Sequence, residues 1–394
     1  MNAELGSDFR FFREASWAQE EIFFPSLSFQ FEYHYSWNDG KDLFDFVPYF
    51  RYDYEDSDRN LIDIRELSWI HVGNSWEFRA GVRKIFWGVA ESSHLVDIVN
   101  QVDFLEGLDG EEKLGQMMFN LSLTREWGIL DFFVLPGFRE RNFSGANGRP
   151  SYFGLIDGNL AEFESGARNH RADFAFRWSH YIGDFDIALS HFSGTSREPR
   201  LMLRKNFDEN VGTRQQRLFP FYDVIDQTGI DAQYIIGDWA WKLEAITRSG
   251  QGERFWSSVF GFEKTFVGVL DSRSDIGILM EYLYDSRGTN SPNLFEDDLA
   301  IGVRYSLNNP QDLTALVLAV YDVETREYFL NLEASTRLGS KWKLVLEVSI
   351  FRPSERNGIF DQDQFPWYMG NPSDSELFLF EDEDFVRLQF MRYL

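Results

Sequence analysis

The sequence predicts an all-β protein, a transmembrane antiparallel up-and-down β-barrel of about 18 strands, with 16 as the other even count it allows. Three observations predict it. Runs of residues alternate apolar and polar with period two, the side-chain period of a strand with two different faces. The links between these runs are alternately short and long. Aromatic residues make up 17% of the 394 residues, with Phe 40, Tyr 16 and Trp 12, more than a single aqueous core usually holds, whereas an outward band in lipid with aromatic girdles accommodates them. Although 43% of residues are hydrophobic, mean hydropathy is −0.35, and no stretch approaches the roughly 18 apolar residues of a membrane helix.

The elements follow in chain order. From Ser26 to Trp37, Leu27, Phe29, Phe31, Tyr33, Tyr35 and Trp37 alternate with Ser26, Ser28, Gln30, Glu32, His34 and Ser36. A strand in an aqueous sandwich is usually about five or six residues long, whereas a tilted membrane strand needs about nine to eleven. The next run sets Phe44, Phe46, Phe50, Tyr52 and Tyr54 against Asp45, Tyr49, Arg51 and Asp53, with Pro48 on the apolar face. Further on, Trp239, Trp241, Leu243 and Ala245 oppose Lys242, Glu244 and Arg248, and Ile276 to Tyr284 oppose Gly277, Glu281 and Asp285. The pattern continues through 299–306, 330–337 and 342–350. Segments 61–72, 128–138 and 312–324 are less regular, and a bulge or register break is expected in each. The last run, 385–394, resembles the C-terminal signal strand of outer-membrane proteins, with Leu394 where Phe is usual.

Short links fall near 38–41, 73–75, 125–128, 182–184, 236–238, 268–273, 308–311 and 339–341, many carrying the Asn, Asp or Gly of tight turns. Long ones centre near 14–24, 55–60, 88–112, 138–170, 195–222, 249–254, 287–296, 324–327 and 354–376. Short periplasmic turns and longer external loops are the habit of bacterial outer-membrane barrels. Together these links join an even number of strands and leave both termini on the periplasmic side. One domain over 1–394 is expected. The start Met1-Asn2-Ala3-Glu4-Leu5 has no signal-peptide pattern, so a mature form with an initiator Met is expected.

Charge narrows the functions. The net charge is −26, with 64 acidic and 38 basic residues, which opposes nucleic-acid binding. Without cysteine there is neither a disulfide nor a thiolate metal site, and no cofactor or metal motif is present. If the apolar faces meet lipid, the lumen carries Glu32, Asp45, Arg51, Asp53, Glu77, Arg79, Arg83, Arg177, Asp231, Lys242, Glu244, Arg248, Glu281, Arg304, Glu333, Arg337, Glu347 and Arg387. Such charges need water or partners, so they line either a wet pore or a plugged lumen braced by ion pairs.

Loop 88–112 is too apolar to be freely solvated. Loops 138–170 and 195–222 are locally basic, with Arg139, Arg141, Arg149, Arg168, Arg197, Arg200, Arg204 and Lys205. They either meet anionic ligands such as lipopolysaccharide phosphates or pair with acids. Acidic runs at 53–58, 296–298 and 381–384 lack the spacing of a calcium loop. Ser179-His180 and Ser190-His191 are the only suggestions of a nucleophile and base, but adjacent strand residues point to opposite faces, so an enzyme is not expected.

On these features the whole chain resembles the large porin-like outer-membrane channels of Gram-negative bacteria. Ala80-Gly81-Val82-Arg83-Lys84 with Trp87-Gly88 also resembles, over about ten residues, a strand of alginate-exporter-like channels. That local resemblance implies an 18-stranded channel, although the lumen lacks the basic bias that a polyanion would require. The porin resemblance implies that the third external loop, 88–112, folds inward as a constriction, with Glu91, His94, Asp97 and Asp103 facing the passage. A short helix capping the mouth, packed by Leu95, Ile98 and Val102, is the alternative. The expected function is diffusion of small polar or charged solutes. The alternatives are a closed or gated barrel exporting lipid or polymer with a periplasmic partner, or a structural barrel. Outer-membrane lipid, lipopolysaccharide and further copies of the chain are the expected partners.

Overall fold

The computed structural model describes residues 1–16, 18–107, 109–208, 213–288, 291, 295–354 and 377–394. The strands are β1 (Asn2–Phe12), β2 (Phe23–Trp37), β3 (Asp42–Asp53), β4 (Leu61–Val72), β5 (Trp76–Arg83), β6 (Gln116–Arg125), β7 (Gly128–Pro136), β8 (Glu162–Phe163), β9 (Ala172–Ile182), β10 (Phe185–Thr195), β11 (Arg200–Asp208), β12 (Thr213–Tyr222), β13 (Val224–Ile236), β14 (Trp239–Ser249), β15 (Phe255–Phe266), β16 (Ser274–Asp285), β17 (Asp297–Leu307), β18 (Leu313–Asp322), β19 (Tyr328–Leu338), β20 (Trp342–Arg352) and β21 (Phe385–Tyr393). Eighteen of them form one antiparallel sheet, in which each strand pairs with the next and β1 pairs with both β2 and β21, closing the barrel. Closure leaves no unpaired edge, which a strand in lipid could not tolerate. The termini meet at the short-turn end, where the Leu394 amide donates to the Ala3 carbonyl at 2.9 Å.

The outward residues of the alternating runs are the exposed apolar ones. Ile62 is 79% exposed, and Leu27, Phe50, Phe132, Trp241, Phe260 and Tyr282 share that face. They need no cover if the surrounding solvent is hydrocarbon. Aromatic residues gather toward the turn end, with Tyr35 stacked on Trp37 and Trp239 on Trp241, while Tyr52, Trp256, Tyr282 and Tyr328 face outward nearer the loop end.

Of the three irregular segments, only 61–72 holds a break. The β3–β4 register slips between Val47 and Pro48, whose partners are Glu66 and Ile64, so that Arg65 is the extra residue. Segments 128–138 and 312–324 correct the expectation, since β7 and β18 pair in unbroken register. Their pattern blurs because both faces are apolar. Phe133, Leu135 and Val320 point inward and are buried, covered by apolar residues that enter the lumen.

The loops at the other end also depart from expectation. Loops 137–171 and 196–223 build a second sheet in which β11 pairs antiparallel with β12 and β8 lies parallel to it. Tyr222 is buried there against Phe138 and Phe163. Their arginines are largely paired rather than free for an anion: Arg139 with Asp63, Arg149 with Glu383, Arg197 with Asp173, Arg200 with Asp223 and Arg204 with Glu162. The side chain of Lys205 and, apart from Ser354, the expected loop near 354–376 lie outside the described residues.

Candidate functional site

The third long loop spans 84–115 and runs into the barrel. The chain leaves the wall at the Gly81 to Gly88 stretch, and the two glycines explain why that stretch stands out in the sequence. Gly81 has φ +133° and a Cβ there would lie 2.0 Å from the Leu67 carbonyl oxygen; Gly88 has φ +123° and a Cβ would lie 2.5 Å from Glu244 Oε1. Both positions combine left-handed backbone with close approach, which only glycine meets without strain.

Two wall carboxylates then hold the loop by its backbone. Glu244, on β14 and wholly buried, accepts the amides of Val89 at 2.7 Å and Ala90 at 2.9 Å through Oε1, and that of Val96 at 3.2 Å through Oε2. Glu281, on β16, accepts the Glu91 and Ser92 amides at 3.0 and 2.8 Å and the Ser92 hydroxyl at 2.6 Å. Carboxylates satisfying several backbone donors form strong charge-assisted bonds. Val96, Ile98 and Val99 pack on Met118, Phe133, Leu135, Phe192, Ile225 and Ile246. This packing is the apolar luminal floor that blurs segment 128–138.

The far side of the loop is fastened by arginines. Arg51 binds Asp103 at 2.9 Å and also Glu106, while Arg387 reaches Glu106 at 3.0 Å, Asp8 at 2.8 Å and Glu347 at 3.2 Å. Arg10 and Arg59 donate to the Leu105 carbonyl at 3.1 and 2.8 Å. Although burial opposes it, the guanidiniums of Arg51, Arg387 and Arg59 hold the Glu106 carboxyl well below its ordinary range. Asn100 ties the loop's two ends, donating to the Arg83 and Leu114 carbonyls, both at 2.9 Å.

Between these attachments one sector meets the loop by apolar packing rather than by polar ties, Ala90 and Leu95 joining the cluster of Val320, Leu318 and Phe329 on β18 and β19. The wall or mouth bonds just described, with Gln227 to Leu95 and Arg197 to Val99, come from β1, β3, β5, β13, β14, β16, β21 and the mouth segments, and among the described residues none comes from β18 or β19. Glu347, on β20, is tied to the loop through Arg387. Inward Leu316, Leu318, Asn331, Glu333 and Val345 of these strands are partly open to solvent, and facing them Asp109 and Glu111 of the loop are exposed. Partly exposed wall residues and exposed loop carboxylates thus share one side of the lumen. The electrostatic neighbours of Glu333 are Asp109, Glu347, Glu91 and Glu111. Enclosure by the barrel, with Glu347, Glu111 and Glu112 nearby, pushes the Asp109 carboxyl up to about 6.

The expected luminal residues divide by height. Glu32, Asp45, Glu77, Arg79, Arg83, Arg177, Lys242, Arg304 and Glu333 are partly open and Arg337 is exposed, whereas Arg51, Asp53, Asp231, Glu244, Arg248, Glu281, Glu347 and Arg387 are buried. Asp53 and Arg59 form a buried pair at 2.6 Å, Arg248 meets the half-buried Glu198 at 2.6 Å, and Arg177 grips Asp231 at 2.7 Å through both nitrogens. Among the loop residues, Glu91 meets Arg304 at 2.6 Å and His94 meets Glu111 at 2.8 Å. Asp97 and Asp103 correct the expectation that they face a passage. Their side chains are 3% and 1% exposed because Lys113 and Arg51 draw them into the anchoring. Among the described residues of 88–112 no helix forms. Asp8, Arg10, Arg59, Glu106 and Asp109 were not singled out. Asp8 and Arg10 alternate with Phe9 and Phe11 in β1 and were open to the same rule, but the loop residues carry no period.

Ser190 points inward and is buried, while His191 faces outward and bonds Thr228 at 2.9 Å. His180 lies beside Trp178 on the outer face. Among the described residues no group of three or more His, Asp or Glu side chains is arranged to hold a metal.

No protein-family model matches the chain, and no curated protein matches it in sequence. Solved structures do match in shape. The BenF-like porin from Pseudomonas fluorescens Pf-5 superposes with a TM-score of 0.56 at 11% identity, covering 100% of this chain and 97% of that one. OpdQ of Pseudomonas aeruginosa gives 0.50 at 10%, covering 100% and 96%. Wzi of Escherichia coli, described as a carbohydrate-binding β-barrel involved in group 1 capsule assembly, gives 0.53 at 8%, covering 99% and 84%. The fold is therefore the porin-like outer-membrane β-barrel.

Proposed function

We propose that this chain is a bacterial outer-membrane diffusion channel for small polar and charged solutes, with loop 84–115 as its constriction and a lane beside β18–β20 as its passage. The observation that carries the reading is the one-sided fastening of the loop. Glu244, Glu281, Arg51 and Arg387 hold it to other parts of the wall, and the exposed loop carboxylates face the sector that makes no polar tie to the loop among the described residues. In this reading the termini and short turns are periplasmic, lipid and lipopolysaccharide surround the belt, and further copies of the chain can share its outer face. The luminal arginines nearest the loop are neutralised by Asp8, Asp103 and Glu106, whereas Asp109 and Glu333 have no cation within ion-pair distance among the described residues. Charge at a constriction sets ion preference, so cations and neutral polar solutes are favoured. No catalytic role is assigned.

A second reading, a closed barrel that binds or guides a polymer, is supported by the tight loop packing and by the likeness in fold to Wzi. Planar-bilayer recording separates the two. A channel gives discrete steps and, under a salt gradient, a reversal potential of cationic sign that shrinks in Glu333→Gln. A demonstrably folded barrel that stays silent would leave the closed-barrel reading.

A further inference from the structure

The lane is roofed at its long-loop end. A cavity of about 20 Å³ lies between the luminal loop and the wall, the room that one water needs. Gly107 and Glu347 border it from the lane side, and Arg149, Pro150 and Glu383 from the mouth. Glu347 belongs to both spaces, because it is an electrostatic neighbour of Asp109 and Glu333 as well.

The contacts that fasten the roof include Ser16 with Ser151, Gln19 with the Asn147 carbonyl and Asp56 with the Gly145 amide, and among them is an ion pair between two different loops. Arg149 Nε donates to Glu383 Oε2 at 2.8 Å, with side chains 1% and 3% exposed. Oε1 of Glu383 accepts the Ser151 amide at 2.8 Å. The same guanidinium reaches the carbonyls of Glu14, at 3.4 Å, and Asp382, and lies 4.0 Å from the Phe12 ring. One side chain thus draws Glu14, loop 137–171 and the Asp382–Glu383 segment together. The neighbouring Asp384 is held to the wall instead, by Arg352 at 2.7 Å and the Phe351 amide at 2.8 Å, so the pair sits where a fixed segment meets a roof.

We propose that Arg149 and Glu383 form a latch that closes the long-loop mouth of the lane, and that their separation admits solute. The proposal rests on reading the lane as the passage. The chemistry of the pair suits such a contact. Desolvating two charges offsets much of their mutual attraction, and on opening both regain water, whereas an apolar seal would present its surface to solvent. The constriction loop differs, being held by backbone amides on Glu244 and Glu281, bonds that only a rearrangement of the loop itself would break.

The test is single-channel recording of the full chain with Glu383→Gln and, separately, Arg149→Met. The first keeps an acceptor for the Ser151 amide and the second keeps the aliphatic stem. Heat-modifiable migration on gels shows that each variant is folded. Opening frequency is expected to rise by about tenfold or more, as loss of a charge-assisted bond implies, with step size unchanged because the constriction is untouched. A second readout uses the absence of cysteine from the chain. A Gly107→Cys thiol is expected to react with a water-soluble maleimide about tenfold faster in the Glu383→Gln background. Variants that open often while the unsubstituted protein is quiet would support both latch and lane. A conducting protein whose folded variants open no more often, with unchanged labelling, would overturn the latch and leave the lane. Silence from all of the folded proteins would overturn the lane, and the latch with it.

Discussion

The two sides of the lumen use the same residue for opposite ends. Glu244, Glu281 and Glu333 are inward glutamates on barrel strands, and nothing in their local sequence separates them. Glu244 and Glu281 each accept several donors from the luminal loop. Glu333 accepts only from Asn331 of its own strand, at 3.4 Å, among the described residues. The first two have become structural and are buried; the third is partly open to solvent. A luminal charge is thus defined by what the loop brings to it rather than by its strand.

The largest effect should come from breaking the fastened side. Glu244→Ala leaves three amides without an acceptor, two of them buried, at about 1–3 kcal/mol for each buried one, and hydrogen exchange at Val89, Ala90 and Val96 should quicken by orders of magnitude. Unchanged protection there would mean that the cradle does not hold the loop. Gly88→Ala attacks the same contact from the other partner. A Cβ 2.5 Å from Glu244 Oε1 on backbone at φ +123° should cost about 1–3 kcal/mol, read as a lower midpoint in denaturant. A stability equal to that of the unsubstituted protein would show that the backbone relaxes freely there.

On the open side the same kind of change should leave the fold alone. Glu333→Gln and Asp109→Asn are expected to shift stability by no more than about 0.5 kcal/mol, while the reversal potential moves toward zero. Substantial unfolding in either variant would erase the distinction between the two sides. The smallest effect is that of pH. With Asp109 titrating near 6, its charge is present at neutral pH and disappears as the solution is acidified. Cation preference should therefore weaken between pH 7.5 and 5, and Asp109→Asn should flatten that change. An unaltered slope in the variant would assign the titration to another group.

Period two along Ser26 to Trp37 or Ile276 to Tyr284, and turn residues at alternate links, sufficed to place most strands, an even count of about 18 with 16 as the alternative, and for most strands the side that faces outward. These are local signals, because a side chain's face is decided by parity alone and a turn by two or three residues. The same parity put Glu333, Glu244 and Arg387 inside. It failed at 128–138 and 312–324, where inward Phe133, Leu135 and Val320 look like lipid-facing residues until the luminal loop that covers them is seen. Tertiary structure alone decided the path of residues 84–115, the turning of Asp97 and Asp103 into anchors, the sheet of β8, β11 and β12, and the pairing of Arg149 with Glu383 across more than 200 residues. Those contacts join segments distant in sequence, and a loop without a repeat carries no period from which its partners could be read.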